Sequence, residues 1–134
     1  DVPGNRIDLD RIGEKQGGVI VTKEELSQLL HSACDTVNEG IASKKNENVY
    51  PRILYWAYIW EDSMASGDAY QELHTYQISM FATEPPGINQ SLLKIRDLLR
   101  HEGLHPTIYH EYNEEDHVWH SYMSVEVDCG VVEE

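Results

Sequence analysis

The side chains of this chain most capable of chemistry are its seven histidines: His31, His74, His101, His105, His110, His117 and His120. Their spacing is the first question, because a zinc site needs three or four ligands converging at fixed separations. His101 and His105 would share a helical face, but Gly103 and Pro106 interrupt the helix between them. His117 and His120 fall three apart on an expected strand, so they point to opposite faces. His110 and His117 approach each other across an expected hairpin, with Glu111 and Glu115 nearby. None of these groupings has a zinc pattern. The expectation is no metal site, no cofactor and no catalytic residue, with the histidines on rims and surfaces. The alternative is a non-catalytic α+β module that binds a small ligand or metal, with His110 or His117 at the rim of an aromatic pocket.

Other reactive types offer less. There is no Gly-x-Ser-x-Gly elbow, and Gly17-Gly18 is followed by Val19-Ile20-Val21 rather than the Lys-Ser/Thr of a phosphate loop. The acidic runs Glu24-Glu25, Glu61-Asp62 and Glu114-Glu115-Asp116 each fall at an expected helix start or turn, where solvated carboxylates are ordinary. Cys34 and Cys129 are too few for a disulfide framework and lack zinc spacing. No enzyme is expected.

Charge then limits the partners. Twenty-four acidic residues against ten basic ones give a formal net charge of -14. Binding DNA or RNA requires a basic patch that displaces counterions from phosphates, and Lys44-Lys45 is the one short cationic cluster. Tight nucleic-acid binding is not expected. Neither is a membrane span, since no run of about 18 apolar residues occurs.

The elements that must position these groups follow from pattern. Residues 1–20 carry Gly4, Gly13, Gly17 and Gly18 and read as a flexible N-terminal arm. Thr22 and Glu25 form a capping box, and Leu26, Leu29, Leu30, Ala33 and Val37 recur at helical spacing, which predicts a helix over 23–38 closed by Gly40. Two strands follow, over 53–60 and 70–83, joined by a loop over 63–68. Pro85-Pro86-Gly87 ends the second. Ile88, Leu92, Ile95, Leu98 and Leu99 mark a second helix that stops at Gly103. A hairpin over 104–112 and 117–127 turns at Asn113-Glu114-Glu115-Asp116. Residues 128–134 read as a flexible acidic tail. The expected fold is one α+β domain over 21–127. Two helices pack on one face of a four-stranded, mainly antiparallel sheet, in the order helix, strand, strand, helix, strand, strand.

One strand breaks the rule for such a sheet. A strand with one solvated face alternates apolar and polar residues, whereas residues 53–60 are apolar throughout. If Ile53, Tyr55, Ala57 and Ile59 face the helices, then Leu54, Trp56, Tyr58 and Trp60 form an exposed aromatic patch. Patches of that kind mark interaction surfaces, and Trp and Tyr dominate interface energetics. Leu54, Trp56, Tyr58 and Trp60 are therefore the candidate protein interface.

From about residue 21 to residue 127 the chain resembles the small tail-completion proteins of long-tailed bacteriophages, also called tail-to-head joining or tail-terminator proteins. The resemblance rests on the first helix and on the Pro-led strand Pro51-Arg52-Ile53-Leu54-Tyr55. The acidic bend Glu61-Asp62, the strand end Tyr76-Gln77-Ile78-Ser79-Met80-Phe81-Ala82-Thr83, the helix ending in Gly103 and the final hairpin complete it. It implies a virion protein, assembled in the host cytoplasm. Copies would form a ring, a hexamer, at the head-proximal end of the tail tube, ending the tube and docking it to the head connector. The implied partners are further copies, the tube protein and the connector, with DNA passing through the ring. An acidic lumen would repel that DNA, and Glu114, Glu115 and Asp116 are the candidate lumen residues.

Overall fold

The structure is a computed structural model that describes residues 21–66 and 69–133; the expected arm over 1–20 lies outside the described residues. The elements run β1 (Val21–Thr22), α1 (Lys23–Ala33), β2 (Val37–Glu39), β3 (Arg52–Ser66), β4 (Ala69–Ala82), a 3-10 turn (Pro86–Ile88), α2 (Gln90–His101), β5 (Tyr109–Asn113) and β6 (Val118–Glu133). They form one six-stranded, curled, mixed sheet in the order β1-β6-β4-β3-β2, with β5 on β6 beside this path. This six-stranded arrangement replaces the expected four-stranded sheet and its element order.

Each added strand has a physical source. Helix α1 begins where the capping box places it: the Thr22 hydroxyl accepts from the Glu25 amide at 3.1 Å, and the Glu25 carboxylate accepts from the Thr22 amide at 2.9 Å. It stops at Ala33 rather than residue 38, since Cys34 is already extended. Val37 fits the helical period, but it is β-branched, and it pairs in parallel with Ile53. Gly40, at φ +87°, closes β2 instead of the helix. The two-residue β1 is likewise held by a distant partner, Val21 lying opposite Val127.

The long strands extend past their expected ends. β3 and β4 stay paired from Arg52–Phe81 out to Ser66–Ala69, and β6 follows β4 as far as Glu133. Residues 104–108 form no strand; Leu104 and Ile108 pack against the core instead. Both helices cover one face of the sheet. Leu26 and Leu30 from α1 and Ile95 and Leu99 from α2 are fully buried against Ile53, Ile78, Met80, Met123 and Val127. Each such side chain contributes about 1.5–3 kcal/mol on leaving water. Asn89 caps α2 by accepting from the Leu92 amide at 3.1 Å, and the Lys94 ammonium donates to the Ser32 carbonyl at 2.9 Å, tying α2 to the end of α1.

Candidate functional site

The apolar strand β3 decides what this surface is. Ile53, Tyr55 and Ala57 face the helices, opposite Met80, Ile78 and Tyr76 of β4. Leu54 and Trp56 point to the other face, opposite Ser79 and Gln77, and both are half-buried. At Tyr58 the register shifts: Ala57 pairs Tyr76 and Ile59 pairs Thr75, so Tyr58 is an extra residue in a bulge. Beyond it the facing inverts. Ile59 joins Thr75 on the open face, and Trp60 joins His74 on the helix-side face, past the end of the helical cover.

The four proposed interface residues therefore do not share one face. Leu54, Trp56 and Tyr58 lie on the open face, and Trp60 lies on the opposite one. Tyr58 reaches across β4 so that its hydroxyl meets the Ser124 hydroxyl at 3.0 Å. Trp60 stacks on His74 at 5.3 Å, and the His74 Nε2 contacts the Glu72 Oε1 at 2.7 Å. What unites the outer part is exposure: Tyr58 is 51%, Ile59 40% and Trp60 75% exposed. These three consecutive residues wrap both faces and the rim of an arm built from β3, β4 and β6. Sequence alternation missed Ile59, because nothing local in Ala57-Tyr58-Ile59 announces the bulge.

Nearer the core, the open face covers itself. Phe81, His120, Tyr122 and Tyr109 come from three adjacent strands, with ring centroids 4.6, 4.9 and 5.4 Å apart in succession. The Arg52 guanidinium extends the row, lying 4.7 Å from the Phe81 ring and 5.0 Å from that of Tyr50. Beneath these rings Ser79 is fully buried, with its hydroxyl 2.9 Å from the His120 Nε2 and accepting from the Gln77 side-chain Nε2 at 3.2 Å. Burial of the His120 ring pushes its pKa below the ordinary 6.5, against a smaller opposing pull from the Glu111 carboxylate.

The acidic turn is a separate feature. Asn113 holds it by accepting from the amides of Glu115 and Asp116 at 3.0 and 3.2 Å, and His117 closes it in the left-handed region at φ 56°. Glu114, Glu115 and Asp116 are exposed and form one wall of an open groove of about 810 Å³, which Tyr50, Arg52, Phe81 and His120 floor. The groove is a concave feature in which the alternative ligand-binding reading could sit.

The structure does not bring the histidines together. His110 contacts the Ser121 hydroxyl at 2.7 Å and His117 the Tyr112 hydroxyl at 3.3 Å, and among the described residues no three His, Cys, Asp or Glu are grouped to hold a metal. Cys34 and Cys129 are both free thiols. Burial raises the pKa of each, the opposite of what an activated thiolate needs. Among the described residues no helix is long and apolar enough to cross a membrane. Compared with known proteins, the chain matches no family model and no curated sequence.

Proposed function

We propose that this chain is a structural assembly protein whose copies form a ring, a hexamer, at the head-proximal end of a phage tail tube. There it ends the tube and joins it to the head connector. The observation that carries this reading is the solvent-facing cluster Tyr58, Ile59 and Trp60 on an arm that extends beyond the helix-covered core. Three adjacent large apolar residues gain by being covered, and Trp and Tyr are the types that anchor interfaces. The resemblance over about residues 21–127 supports the same role and supplies the partners: other copies, the tube protein and the connector. It places the protein in the virion, after assembly in the host cytoplasm.

Charge supports the reading further. A passage for DNA works best when its wall repels phosphates, and a chain of net charge -14 with exposed Glu114, Glu115 and Asp116 provides such a wall. The test is to mix the purified chain with tail tubes, locate it by electron microscopy, and measure its mass in solution by light scattering. Rings at tube ends are the expected result. A chain that remains monomeric alone and also ignores tube ends and connectors would sink the proposal; monomers alone would not, because the tube end can template the ring.

A further inference from the structure

The two edges of the sheet are managed differently. On the outer edge of β6, β5 pairs with residues 118–122 and β1 with Val127 and Asp128. Past that point the Asp128 carboxylate accepts from the Gly130 amide at 2.8 Å. On the opposite edge, β2 covers only Ile53, Leu54 and Tyr55 of β3, and its last bond is the Gly40 amide to the Tyr55 carbonyl at 2.9 Å. Among the described residues nothing pairs with β3 from Trp56 to Ser66 on that side. Natural edges of this length are blunted with lysine, proline, charged residues or bulges; this stretch contains no lysine or proline, and its bulge at Tyr58 and its acids leave the backbone groups on that side unpaired. It carries instead the exposed Tyr58, Ile59 and Trp60 and the acids Glu61 and Asp62.

We infer that the bare edge of β3 takes an added strand, and that the strand is residues 6–12 of a second copy of this chain. This rests on the assembly reading above and names the contact between neighbours. Residues 6–12 read Arg6-Ile7-Asp8-Leu9-Asp10-Arg11-Ile12, in which Ile7 and Leu9 alternate with charged residues in the strand period. Their charges sum to zero, with Arg6 and Arg11 available to Glu61 and Asp62. Pairing β3 with the β3 of another copy would instead set those acids against their own equivalents. Position favours the second copy over the chain's own arm. The described chain enters the sheet at Val21 in β1, and β6, β4 and β3 lie between β1 and the bare edge, so the chain's own residues 6–12 would have to cross a face of the sheet to reach it. An arm that leaves one side of the sheet and an acceptor on the other make a head-to-tail contact, the kind that closes into a ring.

The test is amide hydrogen exchange of the full chain over a range of concentrations, free and with tube ends, for the wild type, Leu9→Pro and Glu61→Lys. Proline removes a donor from the added strand, and lysine blunts the acceptor edge. Protection of core amides such as those of Ile78 and Ile95 reports that each variant is folded. The expected result is that amides over 56–62 of the wild type slow by about tenfold or more as copies associate, and that neither variant shows this. Protection independent of concentration would assign the strand to the chain's own arm and overturn the inference. So would exposed amides in both free and tube-bound samples. If both variants form rings and protect these amides as the wild type does, the arm contact falls while the assembly reading stands; if the wild type neither self-associates nor binds tube ends, both fall.

Discussion

Trp56 and Trp60 differ by four positions, and the bulge at Tyr58 gives them different work. Trp60 is largely exposed and stacks against His74. Trp60→Ala should change the stability of the monomer by no more than about 0.5 kcal/mol. It should weaken association by about 2 kcal/mol or more if the residue anchors an interface. Trp56 is half-buried over Gln77, so Trp56→Ala should cost the monomer about 2 kcal/mol, read as a lower urea midpoint. Equal effects of the two on monomer stability would show that Trp60 belongs to the core. His120 supplies a pH dependence with a definite sign. Its folded pKa is depressed by burial, so as pH falls through about 6.5 the unfolded chain takes up the proton first. Stability should therefore drop between about pH 7.5 and pH 5.5, and His120→Gln should remove that part of the slope. A wild-type slope identical to that of the variant would mean that the ring is solvated rather than shielded by Phe81, Tyr122 and Ser79.

At the scale of elements, the contacts that are local in sequence carry the local structure. Thr22→Ala removes the hydroxyl that caps α1 and should cost about 1 kcal/mol, measured by urea unfolding. The cap was legible because its partners lie three residues apart, and the acidic turn at Asn113 was legible from its turn residues; the Asn89 cap of α2 was not singled out by the sequence. Helix α2 and the β3–β4 and β5–β6 pairings were legible from period and turn chemistry. What could not be read locally is what distant partners impose. β1 and β2 are two and three residues long, and each exists because β6 or β3 presents a row of backbone groups to it. Val37 satisfied a helical period and a strand partner alike, and the strand partner prevailed. The bulge at Tyr58 was equally hidden, since Tyr58 carries no glycine-like signature and the shift appears only in the pairing with β4. As a result the candidate interface was legible in composition, an over-apolar β3, but not in facing. Ile59 replaces Trp56 among its most exposed members, and Trp60 reaches the surface from the other side.

At the scale of the whole molecule, the proposed association has to overcome a net charge of -14. Copies brought together repel one another over roughly a Debye length, about 10 Å at 0.1 M salt and about 3 Å at 1 M. The proposed contact is apolar at Tyr58, Ile59 and Trp60, and its exposed pairs of Arg6 and Arg11 with Glu61 and Asp62 are worth little against that repulsion. Raising salt should therefore strengthen self-association by shielding the long-range repulsion while leaving the apolar contact intact. Sedimentation equilibrium at the two salt concentrations measures this directly. If association instead weakens with salt, ion pairs across the interface outweigh the repulsion, and the acids Glu61 and Asp62 with the arm arginines would be the first pairs to examine. The same charge predicts that the assembled protein is not retained by DNA at 0.1 M salt, because binding would have to neutralise phosphates with a basic surface that 24 acidic residues against 10 basic ones do not supply. Self-association that grows with salt, together with indifference to DNA, is the pairing of properties expected of a subunit that closes around a nucleic acid without holding it.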